Sequence, residues 1–308
     1  MKKHALADLQ QFVKEYPFPT DVLVEVTARC NLNCIMCPRD RLTREQKDMP
    51  WELWCRIVDE VARKSPETRI WPALMGEPLL LGDEIFRMIR YAKDAGVGGV
   101  HLNSNMAAFV PDMLDGLLDS GLDELLVGID AASAPTYEHI RGGGNYNRLV
   151  ENILNVVDAK ENRGCDRPRV TLQFIGMDEN EHEQQAFIDF WKQSGKKVSL
   201  KIKPRTGWAD GVAPGSAPVE AQSIERSMPC TWLLRQMTIF CNGEVPQCDG
   251  DWNGKTSFGN VRDDSIENIW LQNLKEIRDR HFRHEFDYFP CNVCEDWKAG
   301  RAEWVECG

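Results

Sequence analysis

The sequence predicts an α/β fold of six βα units followed by a small cysteine-rich domain. Three observations carry this. Strand-like and helix-like patterns alternate, the alternation stops at a stretch rich in Gly, Pro, Ala and Ser, and most cysteines fall in two groups. The strand-like runs are residues 22–27, 69–75, 99–103, 124–129, 169–175 and 198–203. Between them apolar residues recur at helical spacing: Trp54, Ile57, Val58 and Val61, then Ile85, Met88, Ile89 and Ala92, then Leu149, Ile153, Val156 and Val157. Such alternation implies a parallel sheet. Eight units would close a barrel, so six leave an open or partial barrel, or a doubly wound sheet.

Residues 206–229 break the pattern and read as a linker between residues 21–205 and 230–308, with 1–20 as a leading segment. Residues 236–248 read as a β-hairpin turning at Asn242-Gly243, a pair suited to a type I′ turn. A helix is expected over about 265–283, before a cysteine-rich tail. A unit of about 80 residues would lean on a metal for stability.

Composition narrows the function. The 308 residues are 42% apolar, enough to bury a sizeable core. With 37 basic against 48 acidic residues the net charge is −11, so there is no overall attraction to phosphate backbones or anionic lipid. No apolar stretch is long enough to span a bilayer, and the N-terminus lacks a signal peptide's apolar core. The expectation is a cytoplasmic protein that binds neither nucleic acid nor membrane.

The 11 cysteines occupy positions 30, 34, 37, 55, 165, 230, 241, 248, 291, 294 and 307. In a reducing compartment, clustered cysteines point to metal ligation rather than disulfides. Cys30, Cys34 and Cys37 follow the first strand with the spacing Cys-x3-Cys-x2-Cys. Three thiolates on one loop can hold three corners of a cubane iron–sulfur cluster and leave the fourth iron open for chemistry. Zinc is the alternative, but no fourth ligand is obvious nearby. Cys55 reads as core beside a helix's apolar face, and Cys165 as an incidental loop residue.

This loop resembles the signature of the radical S-adenosylmethionine (SAM) superfamily. The resemblance implies a partial (βα)6 barrel and a [4Fe–4S] cluster whose open iron chelates SAM. Reductive cleavage of SAM then yields a 5′-deoxyadenosyl radical that takes a hydrogen atom from the substrate. Other segments match in order. Met75-Gly76-Glu77-Pro78 resembles the "GGE" segment that meets the SAM amino group, with Met75 in place of the first glycine. Ser104 and Asn105 follow the third strand, where relatives carry Thr-Asn-Gly. Gly128, Asp130 and Arg141 fall in a stretch similar to "SIDG…YxxIR", near the SAM ribose and carboxylate; Gly128 stands where the serine is usual. Ile175 ends the fifth strand, where relatives pack an apolar residue on adenine. Met36 replaces a commoner aromatic residue between the last two cysteines.

In the second group, Cys230, Cys248, Cys291 and Cys294 suffice for a closed zinc site or a cubane. The arrangement Cys-x12-Gly-x4-Cys followed by Cys-x2-Cys resembles the SPASM/Twitch extension of radical SAM enzymes. That implies one auxiliary [4Fe–4S] cluster, since Gly300 and Trp304 stand where further SPASM cysteines would be. Cys307 is a candidate late ligand.

The spacing is similar to that of aminocyclitol dehydrogenases of antibiotic biosynthesis. This implies hydrogen abstraction at a carbinol carbon of a small sugar-like or aminocyclitol substrate. Oxidation would follow with the auxiliary cluster as electron acceptor, or epimerisation, with flavodoxin or ferredoxin as the reductant. Arg205 and Asp210, with Lys203, are the candidates to take the hydroxyl proton. Trp208 is a candidate to face a sugar ring, and Cys241 or Cys307 to return a hydrogen atom. Maturation of a ribosomal peptide and activation of a partner protein are the alternatives. About 20 residues precede the first strand, too few for a peptide-binding domain, which favours a small substrate.

Overall fold

In the computed structural model, residues 6–209, 228–298 and 302–307 are described. All six expected strands form: β1 (Asp21–Val24), β3 (Arg69–Trp71), β4 (Gly99–Ser104), β5 (Glu124–Gly128), β7 (Arg169–Gly176) and β8 (Val198–Pro204). A short pair, β2 (Asn33–Cys34) and β6 (Arg141–Gly142), stands apart from them. Helices α2 (Trp51–Lys64), α3 (Asp83–Asp94), α4 (Leu114–Asp119), α5 (Ala134–Ile140), α6 (Tyr146–Asn162) and α7 (Gln184–Gln193) connect the strands, and α1 (Leu6–Glu15) precedes them. The six principal strands run parallel in the order β8-β7-β5-β4-β3-β1.

The strands alternate strictly. Val22, Val24, Val100, Leu102, Leu172 and Leu200 are fully buried in the main apolar core. Their neighbours Asp21, Arg69, His101, Glu124, Arg169 and Lys201 turn to the other face and line a cavity. Most parallel sheets read as continuous apolar runs because both faces are dry; here one face is polar, so the period-two pattern survives. The helices supply the other half of the core. On α2, Leu53, Trp54, Ile57, Val58 and Val61 are buried, and Trp54 Nε1 donates to Met88 O on α3 at 3.0 Å.

The hairpin expected at 236–248 forms differently. Its first arm, β9 (Gln236–Ile239), pairs in parallel with β1 and becomes an edge of the barrel sheet. All four of its residues are buried, so the segment has no wet face to offer a free hairpin. The turn itself forms, with Phe240 N–H donating to Glu244 O at 2.9 Å. Only Gly243 has a positive φ, 90°, whereas type I′ needs it at both central residues. The other sheet edge is β10 (Glu303–Cys307), antiparallel to β8. The eight-stranded sheet remains open between β9 and β10. The helix expected at 265–283 is present as Ile266–Asn268 and Lys275–Phe282, joined through a π-helical segment, Ile269–Asn273. No helix among the described residues is long and apolar enough to cross a membrane.

Candidate active site

A cavity of about 500 Å³ occupies the barrel interior. Cys30, Cys34 and Cys37 line it on the loop after β1, at the C-terminal ends of the strands, where barrels place chemistry. The β2–β6 pairing sets Cys34 opposite Arg141, and Ile35 N–H donates to Ile140 O at 3.0 Å. Two donors reach the sulfurs: Arg141 Nη1 to Cys34 Sγ at 3.6 Å and Asn105 Nδ2 to Cys30 Sγ at 3.7 Å. Burial pushes the Cys30 thiol up and the Cys37 thiol to about 11, and the neighbouring cysteines add to both. Only a nearby cation would draw off these protons. Three thiols on one loop, two of them with a side-chain N–H donor at their sulfur, fit a [4Fe–4S] cluster.

The second loop is held close to the first. A Cβ on Gly76 would lie 2.0 Å from Thr27 O. Gly76→Ala should therefore cost about 3 kcal/mol or more, because backbone, not a movable side chain, stands in the way; a thermal unfolding curve reads this. Glu77 is buried and accepts from Leu79 N, Ser104 Oγ and Asn105 N at 3.0, 2.7 and 2.7 Å. Burial pushes its carboxyl up, and those donors partly offset this. Glu77 thus ties the end of β3 to the end of β4. Arg141 is ion-paired with Asp130, whose Oδ1 accepts from Ile175 N at 2.7 Å.

The glycine at 128 has a steric reason: a Cβ there would lie 2.1 Å from Arg141 Nη2. The guanidinium occupies the space a serine would need. Met36, Gly76, Glu77, Ser104, Asn105, Arg141 and Ile175 line the cavity. Pro78 and Asp130 do not; Pro78 opens the turn that Glu77 caps, and Asp130 orients Arg141.

The second cysteine group also comes together. Burial raises the Cys248 thiol well above its ordinary value, with Asp249, Cys230, Cys294 and Cys291 adding to the effect. Gln247 Nε2 donates to Cys291 Sγ at 3.1 Å, and Asp296 N to Cys294 Sγ at 3.3 Å. His281 is fully buried. Its Nδ1 accepts from Cys230 N at 3.1 Å, so in the neutral ring the proton sits on Nε2, 3.3 Å from Cys291 Sγ. Four thiols with these donors fit an auxiliary cluster. No three or more Cys, His, Asp and Glu side chains among the described residues gather tightly enough for one metal ion. Ligands of a cubane stand farther apart than those of one zinc, so the cluster fit is intact.

His281→Phe should keep the iron and lower the auxiliary cluster's midpoint potential by roughly tens of millivolts, through loss of an N–H donor to a ligand sulfur. A redox titration followed by electron paramagnetic resonance checks this; an unchanged potential would leave His281 a packing residue.

The other cysteines lie elsewhere. Cys307 pairs in register with Val198 at the start of β8, the opposite end from the cysteine loop. Cys241 is buried and does not line the cavity. Its N–H donates to Glu25 Oε2, and burial, then Glu25, push its thiol to about 11. Arg44 occupies Glu25 through two bonds of 2.6 Å. Lys203, Arg205 and Trp208 line the cavity, and Asp210 lies outside the described residues. Lys201, Trp232, Arg235 and Asp249, which no sequence motif marks, also line it. A period-two signal was there for one of them: Lys201, Lys203 and Arg205 alternate with Leu200, Ile202 and Pro204.

Comparison with known proteins agrees with this geometry. The model of the radical SAM superfamily matches residues 24–190, and that of SPASM, an iron–sulfur cluster-binding domain, matches 230–296. The chain is 29% identical over 162 residues to the tungsten-containing aldehyde ferredoxin oxidoreductase cofactor-modifying protein of Pyrococcus furiosus, covering 51% of this chain and 44% of that one. It is 33% identical over 144 residues to the AdoMet-dependent heme synthase of Methanosarcina barkeri, covering 44% and 38%. It thus spans about half the length or less of these relatives. Among solved structures, BtrN in complex with AdoMet and 2-DOIA superposes with a TM-score of 0.62 at 15% identity, over 92% of this chain and 93% of that one. Streptococcus suis SuiB bound to precursor peptide SuiA gives 0.70 at 13%, over 94% and 72%. At such identities the likeness is one of fold. The family model covers more than half of the chain and includes the three-cysteine loop, so the chain belongs to the radical SAM superfamily, whose domain implies a [4Fe–4S] cluster with SAM, and its SPASM domain implies auxiliary iron–sulfur ligation.

Proposed function

We propose that this enzyme oxidises a carbinol carbon of a small sugar-like or aminocyclitol substrate, with Lys203 taking the hydroxyl proton. The observation that carries the reading is one cavity lined by the Cys30–Cys37 loop, Lys203, Trp208 and Asp249, the residue after Cys248. A substrate there lies between the two cysteine sites. When bound, the cluster and SAM supply a radical that removes a hydrogen atom, and an auxiliary cluster supplies an electron acceptor.

Burial lowers the Lys203 pKa, Arg141 lowers it further, and Asp130, Asp249 and Asp296 oppose this. The neutral amine at Nζ is the form that accepts a proton. Arg205, a guanidinium, is a donor and not a base; it suits holding a hydroxyl. Trp208 offers an aromatic face to a ring. BtrN, matched over 93% of its length with 2-DOIA bound, supports a small-molecule site. The reading keeps residues 21–205 as the barrel's βα units and 230–308 as the segment that carries the second cysteine group and lends β9 and β10 to the sheet edges; of the expected linker 206–229, residues 210–227 lie outside the described residues. The proposed setting is a reducing compartment such as the cytoplasm, with ferredoxin or flavodoxin as donor.

The test is anaerobic turnover of polyols and aminocyclitols with SAM and dithionite. A ketone product formed together with 5′-deoxyadenosine is expected. Deuterium uptake at an inverted carbinol would replace oxidation by epimerisation, and 5′-deoxyadenosine formed only with a peptide would end the small-substrate reading.

A further inference from the structure

The charge in the cavity opposes the charge of the chain. The protein carries −11 overall, yet seven Lys and Arg residues line the cavity against four Asp and Glu. Several cations are already neutralised. Arg69 pairs with Asp21 at 2.8 Å, Arg169 with Glu124 at 3.1 Å, and Arg141 with Asp130. Lys201 and Arg235 have no ion pair among the described residues. Each lies against an aromatic ring instead: Lys201 Nζ is 5.4 Å from the Trp304 centroid, and Arg235 Cζ 4.9 Å from that of Trp232. Arg235 Nε is buried without a hydrogen-bond partner, and so is Asn103 Oδ1 in the same cavity. Buried polar groups are normally satisfied, so unsatisfied atoms on two residues of one cavity wall mark that wall as polar and underpaired.

The position matters as well. Arg235 immediately precedes β9, whose Gln236 is level with Asp21 at the start of β1. It therefore stands toward the N-terminal ends of the strands, away from the cysteine loop, and is not a counter-charge for a cluster there. Lys203, Arg235 and Arg169 repel Lys201 while Glu124, already paired with Arg169, attracts it; a bound anion would relieve the remaining repulsion.

We propose that the substrate carries an anionic oxygen group, a phosphate or a carboxylate, seated against Lys201 and Arg235 while its carbinol end points toward Lys203. This rests on the carbinol reading above and adds the substrate class.

Equilibrium binding tests it without turnover. The anaerobically reconstituted full chain, free of SAM and reductant, is titrated calorimetrically with glucose, glucose 6-phosphate and gluconate. At least one anionic probe should bind about tenfold or more tightly than glucose, and Lys201→Met with Arg235→Met should remove that preference. Which anion is preferred separates phosphate from carboxylate. Lys201→Arg should keep the preference, showing that charge is what is read. Iron content and circular dichroism report whether the double variant is folded; Arg235→Gln alone, expected to lose several-fold, replaces it if not. Equal affinity for all three probes, no binding of any, or an undiminished preference in the folded variant overturns the proposal. Failure of the carbinol reading looks different: the anion preference persists, but no substrate is oxidised.

Discussion

Replacing Cys30, Cys34 and Cys37 together by alanine should halve the iron of the anaerobically reconstituted protein, from about eight atoms per chain to about four. Reductive cleavage of SAM should fall to background in the same variant. Both effects follow from geometry. The three thiols sit on one loop and line one cavity, and Cys30 and Cys34 receive N–H donors from Asn105 and Arg141. No other cysteine lines that cavity. The remaining iron belongs to Cys230, Cys248, Cys291 and Cys294, which interact with one another through Cys248. Iron and acid-labile sulfide analysis reads the outcome directly. About four irons in the wild type, none in the variant and zinc in both would turn the second site into a structural one and remove the electron acceptor from the proposed oxidation.

Lys203→Met should lower formation of the oxidised product by about 10²–10⁴-fold while SAM cleavage continues, because a base acts after hydrogen abstraction. The pH profile carries a sign. A base works when neutral, so the rate should rise with pH through the lysine's pKa. Burial lowers that pKa below the ordinary 10.5, which brings the rise nearer to neutral pH. Lys201, pushed down to about 8 by burial and Lys203, titrates on the same wall. The two are separated by readout, since the Lys201 variant loses anion affinity and the Lys203 variant loses the acid limb of the rate. A profile unchanged in Lys203→Met would assign the proton to another group.

Much of this arrangement was legible in the residues. The six strand runs matched because βα units place short β-rich runs of period two between stretches of helical period, and both periods are written in neighbouring residues. The cysteine loop was legible because its ligands lie within eight residues of one another. The hairpin was misread because a turn signal is local, whereas the pairing of 236–239 with β1 joins segments more than 200 residues apart. Pro78 and Asp130 carry the right motif letters but act behind the cavity wall, a distinction of side-chain direction that a one-dimensional pattern does not hold.

By itself the sequence determined the βα order, the two cysteine groups and the loop where a cluster and SAM belong, because spacing and periodicity record these. Only the tertiary structure decided that Gly128 makes room for Arg141, that His281 joins Cys230 to Cys291, and that Lys201 and Arg235 meet in one cavity with neither ion-paired. Each of these depends on contact between residues distant in the chain, and contact is created by packing.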